Sequence, residues 1–238
     1  MGKRLYAAPE LINVQANSPE GILFISDLHL RRQHTEALDN MLTAVRGLTP
    51  GVVLLGGDMA EYDEGLELAY GRIRAAFPNA FMAAVAGNNE NHLFDGDFEV
   101  QRGILAKYGC QLLRNECAKY KNMEIAGVDE PVMHKASAKR LFSKKKGVYR
   151  VLLSHSPLKR LLTECRPDLM LSGHTHGGQI NVLGVTVYML LSYEHEYAFT
   201  HFEGIRQLGS TLSVVSRGVG YSKWPIRVGA NPEIHYIK

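Results

Sequence analysis

Five short apolar runs alternate with segments of helical periodicity, and this alternation restricts the fold more than any other feature of the sequence. The runs are GILFIS (21–26), VVLL (52–55), FMAAVA (81–86), VLLS (151–154) and LMLS (169–172). Helical spacing occurs in HTEALDNMLTAVRGL, EGLELAYGRIRAAF and DFEVQRGILAKYG. Because strands this apolar are buried on both faces, the pattern predicts parallel sheets covered by helices. After about residue 178 strands and turns follow without helices, so we expect an α/β fold of two sheets packed face to face.

Length and charge narrow the class of protein. A chain of 238 residues fits one α/β domain, and we expect a single domain over 1–238, with 1–20 as a lead-in strand or extension. The composition, 45% hydrophobic and 21% charged, is that of an ordinary soluble globular protein. A net charge of +3 is too small to indicate a nucleic-acid partner, and none is expected.

The cysteines and the apolar runs of the sequence indicate the cellular compartment in which the protein is expected. Cys110, Cys117 and Cys165 form no C-x-x-C pair and are odd in number, which favours a reducing compartment over a disulfide framework. No apolar run approaches the ~18 residues of a membrane span. We therefore expect a cytoplasmic protein without a transmembrane segment. Residues 134–146 hold six basic residues and no acid, which is typical of a solvated loop but also permits peripheral membrane contact. The oligomeric state is not indicated.

Polar side chains that can bind metal follow each of the five apolar runs. They are, in chain order, Asp27, His29, Asp58, Asn88, His155, His174 and His176. Sites in open α/β sheets form outside the carboxyl ends of the strands, where all seven residues are expected. Singly, each fits a helix cap or a turn, but five such coincidences in order are not expected. Carboxylates, an amide and imidazoles without thiolate suit Mn, Fe, Co, Ni or Zn, and seven ligands suit two ions that share one carboxylate.

The order D-x-H, GGD, GN, SH and GHTH resembles the calcineurin-like metallophosphoesterase superfamily. The segments GHTHGGQI, SRGVG (216–220) and PIRVGANPEI (225–234) are similar to its small bacterial phosphodiesterase branch. The resemblance implies a four-layer αββα sandwich of two mixed β-sheets flanked by helices. It also implies a metal-dependent phosphoesterase of phosphodiesterase or pyrophosphohydrolase type. The implied cofactors are two divalent first-row ions (Mn, Fe, Zn, Co or Ni), with Mn favoured.

The resemblance also implies a role for each candidate ligand. One ion would be held by Asp27, His29, Asp58 and His176, and the other by Asp58, Asn88, His155 and His174. Asp58 would bridge the two ions, and a hydroxide bridging them would attack phosphorus. The substrate is then a phosphoester, specifically a phosphodiester or a pyrophosphate, whose identity the sequence does not reveal.

The third motif departs from the family pattern. The family usually has GNH followed by an acid, and its histidine is thought to protonate the leaving oxygen or to hold the phosphate. This chain has Asn89 at that position and retains the acid as Glu90. An amide can donate a hydrogen bond but cannot release a proton near neutral pH. His92, three residues further on, is a candidate replacement if the loop bends back, and otherwise an exposed turn residue. Surface or cap positions are expected for the remaining histidines, His34, His134, His195, His201 and His235.

Two alternatives to a phosphohydrolase stay open. Some relatives of this fold lose catalytic residues and act as interaction scaffolds, so the chain could be a catalytically weakened, metal-binding scaffold, with Asn89 as an early loss. It could also be a structural metalloprotein that binds one ion and has no chemistry. The scaffold hypothesis predicts lost ligands, whereas all seven ligand positions are filled here. We therefore rank the hydrolase first.

Overall fold

The structure is a computed structural model that describes residues 7–130, 136–182, 185–186, 199–222 and 225–238. Its strands are β1 (Glu10–Val14), β2 (Ile22–Ile25), β3 (Val52–Leu55), β4 (Phe81–Ala84), β5 (Cys110–Leu112), β6 (Glu116–Tyr120), β7 (Met123–Gly127), β8 (Tyr149–Leu153), β9 (Leu169–Ser172), β10 (Asn181–Val182), β11 (Val185–Thr186), β12 (Gly204–Leu208), β13 (Thr211–Val215) and β14 (Glu233–Ile237). Its helices are α1 (Glu36–Ala44), α2 (Asp63–Ala76), α3 (Asn88–Leu93), α4 (Phe98–Lys107) and α5 (Lys159–Cys165), with a 3₁₀ turn at His176–Gly178.

The first sheet has the strand order β1-β14-β2-β3-β4-β5. Strands β2 to β5 are parallel to one another, β14 is antiparallel to β2, and β1 is parallel to β14. The last strand of the chain therefore inserts between β1 and β2. Within the predicted lead-in segment 1–20, β1 forms the edge of this sheet. The assignment of 1–238 to a single domain stays a prediction.

The second sheet has the strand order β12-β13-β9-β8-β7-β6. Its four central strands are parallel, and antiparallel strands β12 and β6 close the two edges. Both sheets are thus mixed, as the predicted fold class requires. The short pair β10 and β11 forms a separate hairpin.

Three layers of apolar side chains explain why the strand sequences are continuously hydrophobic. Phe24 and Leu54 of the first sheet meet Leu153 and Leu171 of the second sheet in a core between the sheets. Alternate residues on the same strands, such as Leu23, face a second core under α1, α2 and α4. A third core lies between the second sheet and α5. The architecture is therefore helix, sheet, sheet, helix, and each fully buried Leu, Ile or Phe contributes roughly 1.5–3 kcal/mol.

Helix α2 shows how the sequence specifies the flanking layers. Asp63 and Glu64 lie in its first turn, where negative charge interacts favourably with the helix dipole. Its buried stripe recurs at helical spacing and consists of Leu66, Ala69, Tyr70 and Ile73. The helix ends before Pro78, since a residue that precedes proline disfavours the helical conformation. A nine- to fourteen-residue helix with such a stripe needs the sheet beneath it to be stable.

The five strands expected from the apolar runs and the three helices expected from helical spacing are present, and several other elements were not expected. Helices α3 and α5 and strands β5, β6, β7 and β12 had no strong pattern in the sequence. The expectation that all remaining histidines lie on the surface or at caps is wrong for His201 and His235, which are 5% and 1% exposed. His235 is in β14, whose residues are all buried because this strand is internal to the sheet. His134 and His195 lie outside the described residues.

No helix in the described ranges is both long and apolar enough to cross a bilayer. The basic segment 134–146 is described from residue 136 onward. Its exposed cations, Lys139, Arg140, Lys144, Lys145 and Lys146, form no ion pair with the described residues. Peripheral membrane contact through this segment stays a prediction.

Candidate metal centre

The seven candidate ligands lie at the carboxyl ends of five strands drawn from both sheets. In the first sheet, Asp27 and His29 follow β2, Asp58 follows β3, and Asn88 begins α3 after β4. In the second sheet, His155 follows β8, while His174 and His176 follow β9. The site thus spans one shared edge of the two sheets, and only the packing of the sheets brings residues 27 and 176 together.

Five of these residues have left-handed backbone conformations, which are uncommon outside glycine. They have φ values between 44° and 69° and are Asp27, His29, Asp58, His174 and His176. Each such residue costs roughly 1–2 kcal/mol relative to ordinary backbone. Strain concentrated in this way occurs where the surrounding structure fixes side-chain direction, which is typical of a functional site.

Two glycines are required by close approach of the candidate ligands. A Cβ atom at position 87 would overlap the Asp58 carboxylate, and one at position 173 would overlap Ser26 and the Asp27 carboxylate. Neither Gly87 nor Gly173 has a positive φ, so steric room rather than backbone freedom explains them. The glycines of the GN and GH motifs therefore let carboxylates reach the strand ends.

The first cluster consists of Asp27, His29 and His176. The Nε2 atoms of His29 and His176 are 3.1 Å apart, and His176 Nε2 is 3.6 Å from Asp27 Oδ1. The backbone N–H of His174 donates to both Asp27 oxygens at 3.1 Å. The aspartate after β2 is thereby held to the loop after β9.

The second cluster consists of Asp58, Asn88, His155 and His174. Asn88 Oδ1 lies 3.2 Å from His155 Nε2 and 3.0 Å from His174 Nδ1, and these two ring nitrogens are 3.1 Å apart. Asp58 Oδ1 accepts a hydrogen bond from the backbone N–H of Asn89 at 2.9 Å. Its other oxygen, Oδ2, faces His29 Nε2 at 3.5 Å and His155 Nε2 at 3.6 Å.

Hydrogen bonds on the far side of two rings select their tautomers. His29 Nδ1 is 2.7 Å from Glu61 Oε1, and His155 Nδ1 is 2.8 Å from the carbonyl of Gly56. Since these acceptors lie at hydrogen-bond distance, each Nδ1 carries a proton and donates it. In the neutral form that metal binding requires, each ring presents the lone pair of Nε2 to the oxygen of Asp58. Electron pairs that face one another across about 3.5 Å require a cation or a proton between them.

The surroundings shift the pKa values of the two histidines of the second cluster in opposite directions. Burial, followed by the charge of His155, lowers the pKa of His174 to about 3, which favours the neutral imidazole needed for metal binding. Burial also acts against charge on His155, but the carboxylates of Asp58 and Asp27 outweigh it and raise its pKa to about 9. For Asp58, burial is likewise outweighed by the nearby His155 and His29, which lower the pKa. Positive charge is therefore favoured beside the carboxylates of Asp58 and Asp27 and disfavoured on the His174 ring.

Two groups of buried side chains have ligand atoms close enough to hold a cation. They are Asp27, His29 and His176, and Asp27, Asp58 and His155. Ligand atoms within each group lie within 4.8 Å of one another. The oxygen and imidazole donors suit a divalent first-row ion. Asp27 belongs to both groups, so the geometry offers it, in addition to Asp58, as a carboxylate that two ions could share.

Glu90 links the loop after β3 to the loop after β4 through hydrogen bonds. Its carboxylate is buried and accepts three backbone hydrogen bonds, from Gly87 (2.8 Å), Asp58 (2.8 Å) and Met59 (2.6 Å). Burial, together with the charge of Asp58, raises the pKa of Glu90. The acid of the third motif thus caps α3 and holds the backbone of Asp58 and Met59, and a catalytic role for Glu90 stays a prediction.

The region of Asn89 and His92 differs from expectation because it is helical. Both residues lie in α3, so the flexible loop expected to bend back is absent here. Asn89 Nδ2 lies 3.1 Å from Glu61 Oε1 and 2.8 Å from His29 Nδ1. The side chain of His92 is exposed and makes no hydrogen bond with any described residue. It shares a helix face with Asn88, four residues earlier, and its role as a general acid stays a prediction.

Two further residues support the centre and were not identified from the sequence. Glu61 fixes the His29 ring, as carboxylates commonly do behind metal-binding histidines. Arg227 contacts His176 Nδ1 at 3.1 Å and donates to the carbonyls of Arg217 (2.7 Å) and Ala230 (3.1 Å). The only sequence signals were an acid three residues after Asp58 and an arginine inside PIRVGANPEI.

Comparison with known proteins agrees with this geometry. The family model for calcineurin-like phosphoesterases matches residues 21–178. The uncharacterized metallophosphoesterase YkoQ of Bacillus subtilis is 26% identical over 223 residues, which is 90% of this chain and 82% of that protein. Phosphodiesterase YaeI of Escherichia coli is 26% identical over 230 residues, or 93% and 82% of the two chains. The crystal structure of TT1561 from Thermus thermophilus has a TM-score of 0.54 at 11% identity, covering 84% of this chain and 90% of that one, a likeness of fold alone.

Proposed function

The chain belongs to the calcineurin-like phosphoesterase family, and from that premise we propose that it uses two divalent ions to cleave a phosphodiester or pyrophosphate bond. The coarser statement, that it is a metal-dependent phosphoesterase, follows from the family and from the candidate ligand groups. The ion count, the bridging carboxylate and the type of substrate are the parts that we propose.

The observation that carries the proposal is the environment of Asp58. Its Oδ2 has the Nε2 atoms of His29 and His155 at 3.5 and 3.6 Å. A carboxylate oxygen that lies near two separate imidazole nitrogens is what a shared ligand of two ions needs. On this proposal His176 and Asp27 complete one ion's ligands, and Asn88, His155 and His174 complete the other's.

The chain's own residues would bind and orient the substrate at this edge. When bound, two divalent ions lower the pKa of water and offset the charge of phosphoryl oxygens. The amide of Asn89, close to His29, could donate a hydrogen bond to a phosphoryl oxygen but could not protonate a leaving oxygen. Substrates with leaving groups that need no proton, such as a nitrophenolate or a nucleotide phosphate, should therefore be preferred. The name of the relative YaeI, a phosphodiesterase, supports the diester class.

The test is metal reconstitution combined with Asp58→Asn. Wild-type protein loaded with Mn should contain close to two ions per chain by elemental analysis and should hydrolyse bis(p-nitrophenyl) phosphate. Asp58→Asn should lose most of this activity, because a neutral amide bridges poorly and compensates less of the repulsion between the ions. Asp39→Asn makes the same chemical change in an exposed ion pair with Arg72 and should be without effect.

Three results would count against the proposal. A stoichiometry that stays at or below one ion per chain would exclude the two-ion site. Full turnover by Asp58→Asn in saturating Mn would exclude that residue as the bridge and leave Asp27 as the shared carboxylate. Binding of two ions without hydrolysis of any phosphodiester or pyrophosphate would favour the interaction scaffold.

A further inference from the structure

One cation beside the candidate metal centre has hydrogen-bond donors that the described protein does not use. Arg31 follows His29 by two residues, and its side chain is 31% exposed. Its Nη2 donates to the carbonyl of Ser222 and lies 3.9 Å from Glu61 Oε1, beyond hydrogen-bond distance. Its Nη1 and Nε donate to no described residue. A guanidinium has five N–H donors in a planar fork, so most of the donors of Arg31 have no partner among the described residues.

The position of Arg31 relates it directly to the reaction site. The same Glu61 oxygen that is 3.9 Å from the guanidinium is 2.7 Å from His29 Nδ1 and 3.1 Å from Asn89 Nδ2. Arg31 is therefore separated from a candidate ligand and from the candidate phosphate donor by one carboxylate. That carboxylate accepts hydrogen bonds from His29 and Asn89 and none from Arg31, so Glu61 does not use the N–H groups of the guanidinium.

The other arginines near this edge are occupied. Arg227 donates to several backbone carbonyls of the tail, and Arg217 is paired with Glu233. Arg32, next to Arg31 in the chain, points to Glu64 at 2.6 Å on the exposed start of α2. Within the described ranges, Arg31 is thus the arginine beside the centre that combines partial exposure with unused donors.

We propose that Arg31 forms an anion subsite for a second phosphoryl group of the substrate, next to the phosphoryl group that reacts. This inference rests on the proposed function and refines it: the favoured substrate class is a pyrophosphate-linked compound rather than a simple diester. A guanidinium recognises phosphate with two parallel charge-assisted hydrogen bonds, which come from Nη2 together with either Nη1 or Nε. The Ser222 carbonyl takes one of the two Nη2 hydrogens of Arg31, so the other remains for such a pair. The subsite would select between substrates that share the same reacting group.

The test uses a matched pair of chromogenic esters, the p-nitrophenyl esters of thymidine 5′-monophosphate and thymidine 5′-diphosphate. They differ by one phosphoryl group, and consumption of each is followed by chromatography, so the cleaved bond need not be known. The measured quantity is the ratio of kcat/KM for the diphosphate to that for the monophosphate. In the Mn-loaded wild type this ratio should exceed one.

Arg31→Gln is the main variant, because glutamine keeps a donor for the Ser222 carbonyl while removing the charge. The ratio should fall by roughly 10- to 100-fold, the usual worth of a lost charge-assisted hydrogen bond. Arg31→Lys, which keeps the charge without the fork, should retain part of the preference. Arg32→Gln removes the same charge one residue away and should leave the ratio unchanged.

The outcomes separate the subsite from the proposed function. Hydrolysis of both esters with an unchanged ratio in Arg31→Gln would overturn the subsite and leave the phosphohydrolase intact. An equal fall in Arg32→Gln would reduce the effect to general charge and would also overturn it. If the Mn-loaded wild type consumed neither ester, the proposed function and the subsite would fall together.

Discussion

Replacing Glu90 by glutamine should destabilise the protein even though the change adds no volume. Glu90 is 1% exposed, and its two oxygens accept hydrogen bonds from three backbone N–H groups. Oε2 serves Asp58 and Gly87, and Oε1 serves Met59. An amide has only one oxygen, so in the better of its two orientations it can serve Asp58 and Gly87, while its NH₂ group faces the N–H of Met59.

The magnitude follows from this count of donors. One charge-assisted hydrogen bond is lost, which costs roughly 1.5–3 kcal/mol, and the buried N–H of Met59 has no partner, which costs roughly 1–3 kcal/mol. The two costs overlap, because both describe the loss of the same hydrogen bond from the Met59 N–H to Glu90 Oε1, so they are not simply added. We therefore expect Glu90→Gln to lower the free energy of unfolding by about 3 kcal/mol.

Urea denaturation of metal-free protein, followed by circular dichroism, measures this loss without any contribution from bound ions. Glu64→Gln is the matched control, since Glu64 is exposed and its ion pair with Arg32 should contribute less than about 1 kcal/mol. A loss below about 1 kcal/mol for Glu90→Gln would refute the reasoning. It would mean that Glu90 does not accept these three bonds as an ionised carboxylate.

Three further predictions concern single side chains. Glu61→Gln should weaken Mn binding by roughly 10- to 100-fold in a metal titration, because the His29 ring loses its charged partner; unchanged affinity would refute this role. If His92 has taken over the role of general acid, His92→Ala should slow alkyl esters by roughly 10²- to 10⁴-fold but spare nitrophenyl esters, and wild-type rates on both ester types would remove His92 as the acid. Burial, with the charge of Arg217, lowers the pKa of His235 to about 4. Between pH 6.5 and pH 4 the His235 imidazole is protonated mainly in the unfolded chain, so the free energy of unfolding of the wild type should fall by roughly 3 kcal/mol more than that of His235→Gln. Urea denaturation curves that shift equally with pH in the two proteins would contradict this.

Those parts of the fold that rest on periodic burial were predictable from the sequence. Strands β2, β3, β4 and β9 are apolar at nearly every position, because one side faces the other sheet and the opposite side faces helices. Strands β6 and β12 lie at sheet edges, and their mixed sequences ECAKY and GIRQL carry no such signal. Helix α3 has six residues, too few for a repeating stripe, and begins at a candidate ligand. Its sequence therefore indicates a flexible loop until the Glu90 cap is seen.

The candidate site shows a similar division. Its seven residues were found because each follows an apolar run, a relation that is local in sequence. Glu61 and Arg31 were not found, since their importance depends on a shared carboxylate oxygen beside His29. Arg227 is 51 residues from His176 in the chain, and their contact is set by how the tail returns to the first sheet. Such contacts follow from tertiary packing and have no periodic signature.

The loops that carry the left-handed backbone conformations of the centre are also the loops that hydrogen bonds hold in place. Five candidate ligands are held in left-handed conformations at roughly 1–2 kcal/mol each, and ions alone would not hold them if the loops were free to relax. Backbone bonds link these loops directly: Asp27 N–H donates to Gly57 (3.0 Å), and His29 N–H donates to Asp58 (2.9 Å). Glu90 adds three bonds beneath Asp58. The ligand directions are therefore set by hydrogen bonds that need no metal, which lowers the ordering cost when ions bind.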